Sequence, residues 1–209
     1  MNIAIIGSGN IGSGLALVLA KAGHRVVVSD TTGGAEAAAA LQTEGAPVTA
    51  ADLPAAVAGA DLVILATPFG AAATIAASAD FSGKTVIDVS NPVTADFSGL
   101  SLGFDRSAAE EIAALVPGAR VVKAFNTIFA SHYRTGLTAG GRPVQAFVAA
   151  DDADARAAVI ALAAGIGLDA RDAGPLRNAR YLEPLGYMNI QFGYMLGQGT
   201  AIAPAWLDA

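Results

Sequence analysis

Cysteine is absent from this chain of 209 residues, and histidine and charged residues are scarce. The lack of cysteine excludes disulfide bonds, thiolate metal sites and cysteine nucleophiles, and it fits a reducing, cytoplasmic environment. The two histidines have no second histidine or carboxylate at ligand spacing, so we predict no metal site. Charged residues make up 14% of the chain and the net charge is −6, which argues against a nucleic-acid partner because such a protein needs a basic face.

Long uninterrupted hydrophobic runs are also missing. The first 20 residues are apolar, but no basic segment precedes them and glycines interrupt them. We therefore expect a strand, a turn and a helix there, and neither a signal peptide nor a membrane anchor. Hydrophobic residues make up 54% of the chain, which is enough for a sizeable core in a folded protein with no membrane partner.

Residues 3–14, with the sequence IAIIGSGNIGSG, are the most informative stretch of the chain. A short apolar run predicts a buried strand, and a helix is expected over residues 10–22. Between them Gly7, Gly9 and Gly12 have the spacing G-x-G-x-x-G. In a dinucleotide-binding unit the first glycine permits a tight turn, the second lets the backbone approach a pyrophosphate, and the third lets helix pack on strand. The N-terminus of the helix would then face the phosphates.

Apolar runs and helix-forming stretches alternate through the rest of the chain. Strands are predicted at residues 26–28, 47–50, 61–66, 85–89 and 120–124, and later at 144–149 and 168–171. This alternation predicts an α/β fold with a doubly wound, Rossmann-type parallel sheet. We divide the chain into an NAD(P)-binding domain over residues 1–140 and a small, mainly helical C-terminal domain over residues 141–209. In its helical tail Met188, Phe192 and Met195 recur at helical spacing, which predicts core packing or a subunit contact.

Small, polar or rigid residues follow the carboxyl ends of the predicted strands. In an open parallel sheet a ligand binds beyond these ends, at the point where the strand order reverses. The predicted cofactor site comprises Gly7, Ser8, Gly9, Asn10, Ile11, Gly12, Ser29, Asp30, Thr31, Thr67, Pro68, Phe69, Asn91, Pro92, Ala124, Asn126 and Thr127.

Asp30 bears on which dinucleotide binds. It follows the second predicted strand, 18 positions after Gly12, where an acidic residue accepts hydrogen bonds from a ribose and repels a 2′-phosphate. No arginine or lysine follows before Lys84, which favours NAD over NADP. The alternative is that Ser29, Thr31 and Thr32 bind a phosphate while Asp30 turns away or caps the next helix.

The remaining titratable residues are weaker candidates. His24 lies at the wrong end of the predicted sheet and is interpreted as a surface residue. His132 follows a strand-end loop and is interpreted as structural or surface-exposed, with substrate contact as the alternative. Lys123 lies in a strand end, where a structural role is favoured over that of a general acid. Arg177 and Arg180 are either anion contacts or surface residues.

The chain resembles the family of NADPH-dependent coenzyme F420 reductases, which also includes cytoplasmic domains of some membrane ferric reductases. The resemblance spans nearly the full length. It rests on IGSGNIGSGLA at residues 6–16, AGH at 22–24, VVKAFNT at 121–127, DAGPLRNAR at 172–180 and LEPL at 182–185. The segment DAGPLRNAR is more specific than the glycine motif.

The resemblance implies a Rossmann domain, a small C-terminal part that completes the cleft, and a homodimer. In this family a deazaflavin stacks on the nicotinamide and hydride passes between the rings. By position, Asn10 and Ile11 would flank the pyrophosphate, Thr67 and Pro68 the adenosine side, and the backbone of Ala124 would hold the nicotinamide carboxamide. Such a transfer needs stacking and exclusion of water, so no catalytic side chain is expected.

This chain departs from the family pattern directly after the second predicted strand. The family has Ser-Arg or a similar basic pair at that position, whereas this chain has Asp30-Thr31. The acceptor is expected to be coenzyme F420 or a flavin. The alternatives are a reductase of a small carbonyl, imine or quinone substrate and, in a different class, a non-catalytic dinucleotide-binding module. Imine and β-hydroxyacid reductases normally have a longer helical C-terminal domain, which disfavours the alternative of an imine or β-hydroxyacid reductase.

Overall fold

Ten strands and eight α-helices are found in the computed structural model, which describes residues 1–207. The strands are β1 (Asn2–Ile6), β2 (Arg25–Ser29), β3 (Val48–Ala50), β4 (Leu62–Leu65), β5 (Thr85–Asp88), β6 (Arg120–Lys123), β7 (Thr138–Ala139), β8 (Arg142–Pro143), β9 (Gln145–Ala150) and β10 (Asp169–Asp172). The helices are α1 (Asn10–Lys21), α2 (Ala35–Thr43), α3 (Leu53–Gly59), α4 (Ala72–Ser78), α5 (Ala108–Leu115), α6 (His132–Thr135), α7 (Ala153–Gly165) and α8 (Ala179–Ile190). Short 3-10 helices are formed by Phe69–Ala71 and Leu176–Asn178, and a π-helix by Gln191–Met195.

The main sheet has eight strands in the order β3-β2-β1-β4-β5-β6-β9-β10. The first six are parallel to one another, and their order reverses between β1 and β4. This is the doubly wound order of dinucleotide-binding sheets, so the predicted fold class is confirmed. The crevice beyond the carboxyl ends of β1 and β4 is therefore the expected ligand position.

The central strands are buried on both faces because they alternate between two cores. Ile3 and Ile5 of β1 pack into one core, while Ala4 and Ile6 pack into the other. Successive side chains of a strand point to opposite faces, so a continuous apolar run such as this one fills both layers. The resulting rigid strand ends hold the loops that follow them.

Two helix starts are fixed by side-chain caps. Asp52 accepts a hydrogen bond from the Ala55 amide at the start of α3. At the start of α5, Ser107 and Glu110 form a reciprocal capping box.

One edge of the sheet departs from the predicted parallel arrangement. β9 pairs antiparallel with β6, with Lys123 opposite Ala149, and β10 pairs parallel with β9. Apolar periodicity does not reveal strand direction. Between β6 and β9 the chain forms α6 and the β7–β8 hairpin, which are too short for periodicity to detect. Residues beyond 140 thus contribute two strands to the main sheet, and the division at residue 140 stays a prediction.

The apolar tail lies on the surface of the chain. Met188, Phe192 and Met195 are 45%, 37% and 57% exposed, so the core interpretation of this stripe is wrong and the subunit contact stays a prediction. Within residues 1–207 no helix has both the length and the hydropathy to span a bilayer.

Candidate functional site

The glycine motif forms a tight loop between β1 and α1. Gly7 has φ +104°, and a Cβ there would lie 2.4 Å from the carbonyl oxygen of Ala66. A Cβ on Gly12 would lie 1.9 Å from the carbonyl oxygen of Gly7, so helix and loop are in direct contact. Beside Gly9, by contrast, the space is open to 4 Å. α1 begins at Asn10 without a side-chain cap, which leaves its first amides available to an anion.

Asp30 follows β2 directly. Its carboxylate accepts hydrogen bonds both from the glycine loop and from the loop that follows β2. Its Oδ2 accepts a hydrogen bond of 2.5 Å from the hydroxyl group of Ser8. Its Oδ1 accepts from the Thr32 amide, the Thr32 hydroxyl group and the Gly34 amide at 2.8, 2.8 and 2.9 Å. The hydrogen bonds from Ser8 and Thr32 lower the pKa of the Asp30 carboxyl to about 2. The carboxylate is therefore charged at neutral pH and fixed in place.

The residues after β4 border the same loop. Thr67 contacts it closely, since a Cβ on Gly7 would lie 2.9 Å from Cγ2 of Thr67. Pro68 is exposed and Phe69, half-buried, opens a 3-10 turn that leads into α4. These three predicted residues therefore lie at the same edge of the sheet as Ser8 and Asp30.

A pair of side-chain amides joins the ends of β5 and β6 to α8. Asn91 donates to the carbonyl oxygen of Asn126 at 2.8 Å, and the Asn126 amide donates to Oδ1 of Asn91 and to the carbonyl oxygen of Leu182, both at 2.8 Å. Gly186 of α8 lies against this pair, since a Cβ there would be 2.7 Å from Oδ1 of Asn91. The loop after β6 is also bound to α8 by Asn189, which donates to the carbonyl oxygen of Thr127 at 3.1 Å.

A cavity of about 220 Å³ opens beside these amides at the carboxyl edge of the sheet. Tyr194 is the one titratable residue among its described lining residues. The aromatic ring of Tyr194 packs edge-on against Phe129, with the ring centroids 5.5 Å apart. The cavity is lined by Asn10, Ile11, Asn91, Asn126, Thr127, Ile128, Phe129, Ala130, Gly186, Asn189, Ile190 and Tyr194.

Two buried oxygen atoms in this loop have unused hydrogen-bonding capacity. Within residues 1–207, Oδ1 of Asn126 and Oγ1 of Thr127 have no hydrogen-bond partner, although the residues are only 6% and 2% exposed. Buried polar atoms normally have a partner. These two atoms keep capacity for a further partner beside the cavity, although neither is exposed to it.

An ionic cluster is buried directly beneath the amide pair. The Lys123 ammonium lies 2.7 Å from Oδ2 of Asp88, 2.8 Å from Oε1 of Glu183 and 2.5 Å from the carbonyl oxygen of Ser90. Glu183 also accepts from the Ala108 and Ala109 amides at the start of α5. Burial raises the pKa of the Glu183 carboxyl above its usual value, against the opposing attraction of Lys123. Lys123 is fully buried, which confirms its structural interpretation.

The other titratable candidates also have structural surroundings. His132 is 2% exposed, and its Nε2 lies 3.0 Å from the carbonyl oxygen of Ile202, to which it donates. Arg180 pairs with Glu110 at 2.7 Å, which also lowers the pKa of the Glu110 carboxyl. Arg177 is exposed, and His24 is half-buried at the amino edge of the sheet.

The predicted site residues divide into those that meet the cavity and those that do not. Asn10, Ile11, Asn91, Asn126 and Thr127 line it. Pro92 and Ala124 are buried behind these residues, and the glycine loop, Asp30 and the residues after β4 form a second cluster near α1.

Sequence reasoning missed the contributions of Phe129 and of the tail, namely Gly186, Asn189, Ile190 and Tyr194. The tail has no motif of its own, although the LEPL segment that carries part of the resemblance directly precedes Gly186.

A larger cavity of about 510 Å³ lies at the opposite, amino edge of the sheet. It is lined mainly by apolar residues of β1, β2, β3 and α3, and it contains none of the predicted site residues. Ligands of doubly wound sheets bind beyond the carboxyl ends of the strands. The smaller, amide-lined cavity is therefore the candidate site.

Comparisons with known proteins agree with this geometry. The family model described as NADP oxidoreductase, coenzyme F420-dependent, matches residues 2–92. An F420-dependent NADP reductase from Methanothermobacter marburgensis is 33% identical, over 88% of this chain and 89% of that protein. The metalloreductase STEAP3 from Rattus norvegicus is 32% identical over 88% of this chain, but the match spans only 36% of that longer protein. The crystal structure of a candidate F420-dependent NADP reductase from Arthrobacter sp. FB24 superposes with a TM-score of 0.81 and 29% identity, covering 96% of each chain.

Proposed function

Because the chain belongs to the family of F420-dependent NADP oxidoreductases, we propose that it transfers a hydride between a nicotinamide dinucleotide and a deazaflavin or flavin-like acceptor. The observation that supports this most directly is the amide-lined cavity beside the glycine loop, at the reversal point of the sheet. The M. marburgensis relative is matched over 88% of this chain and 89% of its own length.

The dinucleotide would lie along the carboxyl edge of the sheet. The open space at Gly9 and the uncapped start of α1 suit a pyrophosphate, flanked by Asn10 and Ile11. The adenosine would then lie toward Asp30, Thr31 and the residues after β4, which are Thr67, Pro68 and Phe69.

The nicotinamide would reach the loops after β5 and β6, near Asn91, Pro92, Ala124, Asn126 and Thr127. A carboxamide supplies both donors and acceptors, which suits a cavity lined by the side-chain amides of asparagines.

The chain's own contribution to such a transfer is orientation and exclusion of water. The bound nicotinamide supplies the hydride, and the transfer between two stacked rings needs no side-chain acid or base. The lining fits this requirement because it consists of apolar side chains and neutral amides, together with the hydroxyl groups of Thr127 and Tyr194. Lys123 is buried in its ion pairs and has no route to a substrate.

A homodimer in the cytoplasm is part of the same proposal. The outer face of α8 and the residues that follow it expose large apolar side chains at Tyr181, Met188, Phe192, Met195, Leu196 and Trp206. Contiguous exposed apolar surface of this kind is typical of interfaces. Light scattering on the purified protein should give twice the chain mass, and a mass equal to one chain would exclude the dimer.

The test combines binding and turnover on one variant and its control. A Cβ at Gly186 would collide with the Asn91–Asn126 pair, so Gly186→Ala should disturb the cavity floor. Gly165→Ala also changes a helical glycine, but a Cβ there meets nothing within 4 Å. We expect wild type and Gly165→Ala to oxidise the reduced dinucleotide with coenzyme F420 or a flavin, and Gly186→Ala to bind the dinucleotide but to lose most turnover.

Other outcomes separate the alternatives. Binding without turnover on any acceptor would indicate a non-catalytic dinucleotide-binding module. Turnover with carbonyl or imine substrates but not with flavins would move the proposal to that class of reductase. No dinucleotide binding at all would refute the proposal.

A further inference from the structure

The loop after β2 differs in charge from what a 2′-phosphate requires. A phosphate at this position needs donors and positive charge. The segment from Thr31 to Gly83 contains no arginine or lysine, and the loop begins with the Asp30 carboxylate.

Most of the hydrogen-bond donors that could serve a phosphate in this loop are already used, and the exposed Thr31 is the exception. The Thr32 amide, the Thr32 hydroxyl group and the Gly34 amide all donate to Oδ1 of Asp30. The Gly33 amide donates to the carbonyl oxygen of Asp30 at 3.0 Å. The hydroxyl group of Ser29 lies on a residue with no exposed surface, so it is out of reach of a ligand. The alternative in which Ser29, Thr31 and Thr32 hold a phosphate therefore keeps only the donors of the exposed Thr31, next to the Asp30 carboxylate.

The carboxylate is also prevented from turning away. Three donors fix Oδ1, and the hydroxyl group of Ser8 fixes Oδ2 next to Gly7 and Gly9 of the glycine loop. An ionised carboxylate offers about four acceptor positions. Oδ2, with one donor, retains capacity for a ribose hydroxyl group.

We propose that Asp30 is the specificity-determining residue of this site and selects NADH over NADPH, by accepting from the adenosine ribose and repelling a 2′-phosphate. This inference rests on the proposed function, since it assumes that a nicotinamide dinucleotide occupies the carboxyl edge. It gives this chain the opposite dinucleotide preference to the one in its family's name, through the replacement of a basic pair by Asp30-Thr31.

The test measures equilibrium binding of NADH and NADPH by nicotinamide fluorescence, with 5′-AMP and 2′,5′-ADP as probes of the adenosine end alone. Wild type should bind NADH and 5′-AMP tighter than their 2′-phosphorylated counterparts by about 10- to 100-fold, the range expected for one charge-assisted hydrogen bond and a repelled phosphate. Asp30→Ser should narrow this ratio, and Asp30→Ser combined with Thr31→Arg should reverse it.

Two further variants keep the test decisive. Thr31→Arg alone changes an exposed residue and leaves every contact of Asp30 in place, and it should raise the affinity for NADPH relative to that for NADH. Asp80→Ser is the matched control, because Asp80 also accepts from an amide two residues ahead but lies at the amino edge of the sheet. Asp80→Ser should leave both affinities unchanged.

Tighter binding of NADPH by wild type, or a ratio that Asp30→Ser leaves unchanged, would overturn the inference while leaving the proposed function intact. If wild type bound neither dinucleotide, the proposed function would fail and the inference with it.

Discussion

Removal of the buried cation at Lys123 should destabilise the fold strongly. The Lys123→Met variant keeps most of the side-chain volume but leaves two carboxylates without their counter-charge. Asp88 and Glu183 are 0% and 2% exposed, so neither can recover its hydration. Breaking a buried ion pair by removing one partner costs about 3–5 kcal/mol. For a chain of this length each kcal/mol corresponds to about 2–4 °C in Tm, so we expect Tm to fall by about 6–20 °C.

The loss of stability in Lys123→Met should depend on pH in a defined direction. The attraction of Lys123 opposes the raised pKa of Glu183, so its removal raises that pKa further. A carboxyl group whose pKa is higher in the folded than in the unfolded protein favours folding when protonated. The stability that this group contributes is lost as the pH rises through its pKa in the folded protein. The loss in Tm should therefore be largest at neutral pH and smaller in mildly acidic buffer.

The assay is thermal unfolding followed by circular dichroism, with urea unfolding as a second measure. Lys84→Met is the control, since Lys84 donates only to the carbonyl oxygens of Ala58 and Ala60. The double variant Lys123→Met with Glu183→Gln should recover part of the loss, because it removes one of the stranded charges. A Lys123→Met variant no less stable than Lys84→Met, or a deficit independent of pH, would refute the reasoning.

Two other predictions concern the glycine loop and the ribose site. Gly12→Ala should abolish dinucleotide binding or folding, because its Cβ would lie 1.9 Å from the Gly7 carbonyl oxygen; circular dichroism and NADH titration check this, and normal binding would contradict it. The Asp30 carboxyl, with its pKa at about 2, stays ionised in mildly acidic buffer, whereas a 2′-phosphate gains a proton below about pH 6. The preference for NADH over NADPH should therefore weaken modestly between about pH 8 and pH 5.5, and a preference that strengthens with acid would contradict it.

The nucleotide-binding half could be predicted because its signals are local. The glycine spacing directly specifies a turn, an open approach and a close contact, and all three are found at Gly7, Gly9 and Gly12. The helix caps at Asp52 and Ser107 are local signals in the same sense, since each acts within one helical turn.

The cavity and the ionic cluster depend on contacts between distant segments. Asn91, Asn126 and Gly186 meet only because three separate elements converge, and no local pattern reports this. Asp88 lies three residues before Asn91, Lys123 three before Asn126, and Glu183 three before Gly186. The buried ion pairs therefore connect the elements that carry the floor of the cavity. The antiparallel direction of β9 was missed because a buried strand has the same composition in either direction.

Hydride transfer in the amide-lined cavity is tested most directly by following a deuterium label from C4 of the reduced dinucleotide to the acceptor. Single-turnover mixing with coenzyme F420, a deazaflavin whose accepting ring carbon retains the label, would be followed by mass spectrometry of the products. With a flavin, whose accepting ring nitrogen exchanges its hydrogen with water, the isotope effect alone is the readout. We expect label on the deazaflavin ring, a primary isotope effect on the oxidation rate, and loss of both in Gly186→Ala while dinucleotide binding persists. Failure to transfer label in wild type, or equal transfer in Gly186→Ala, would contradict hydride transfer in the amide-lined cavity.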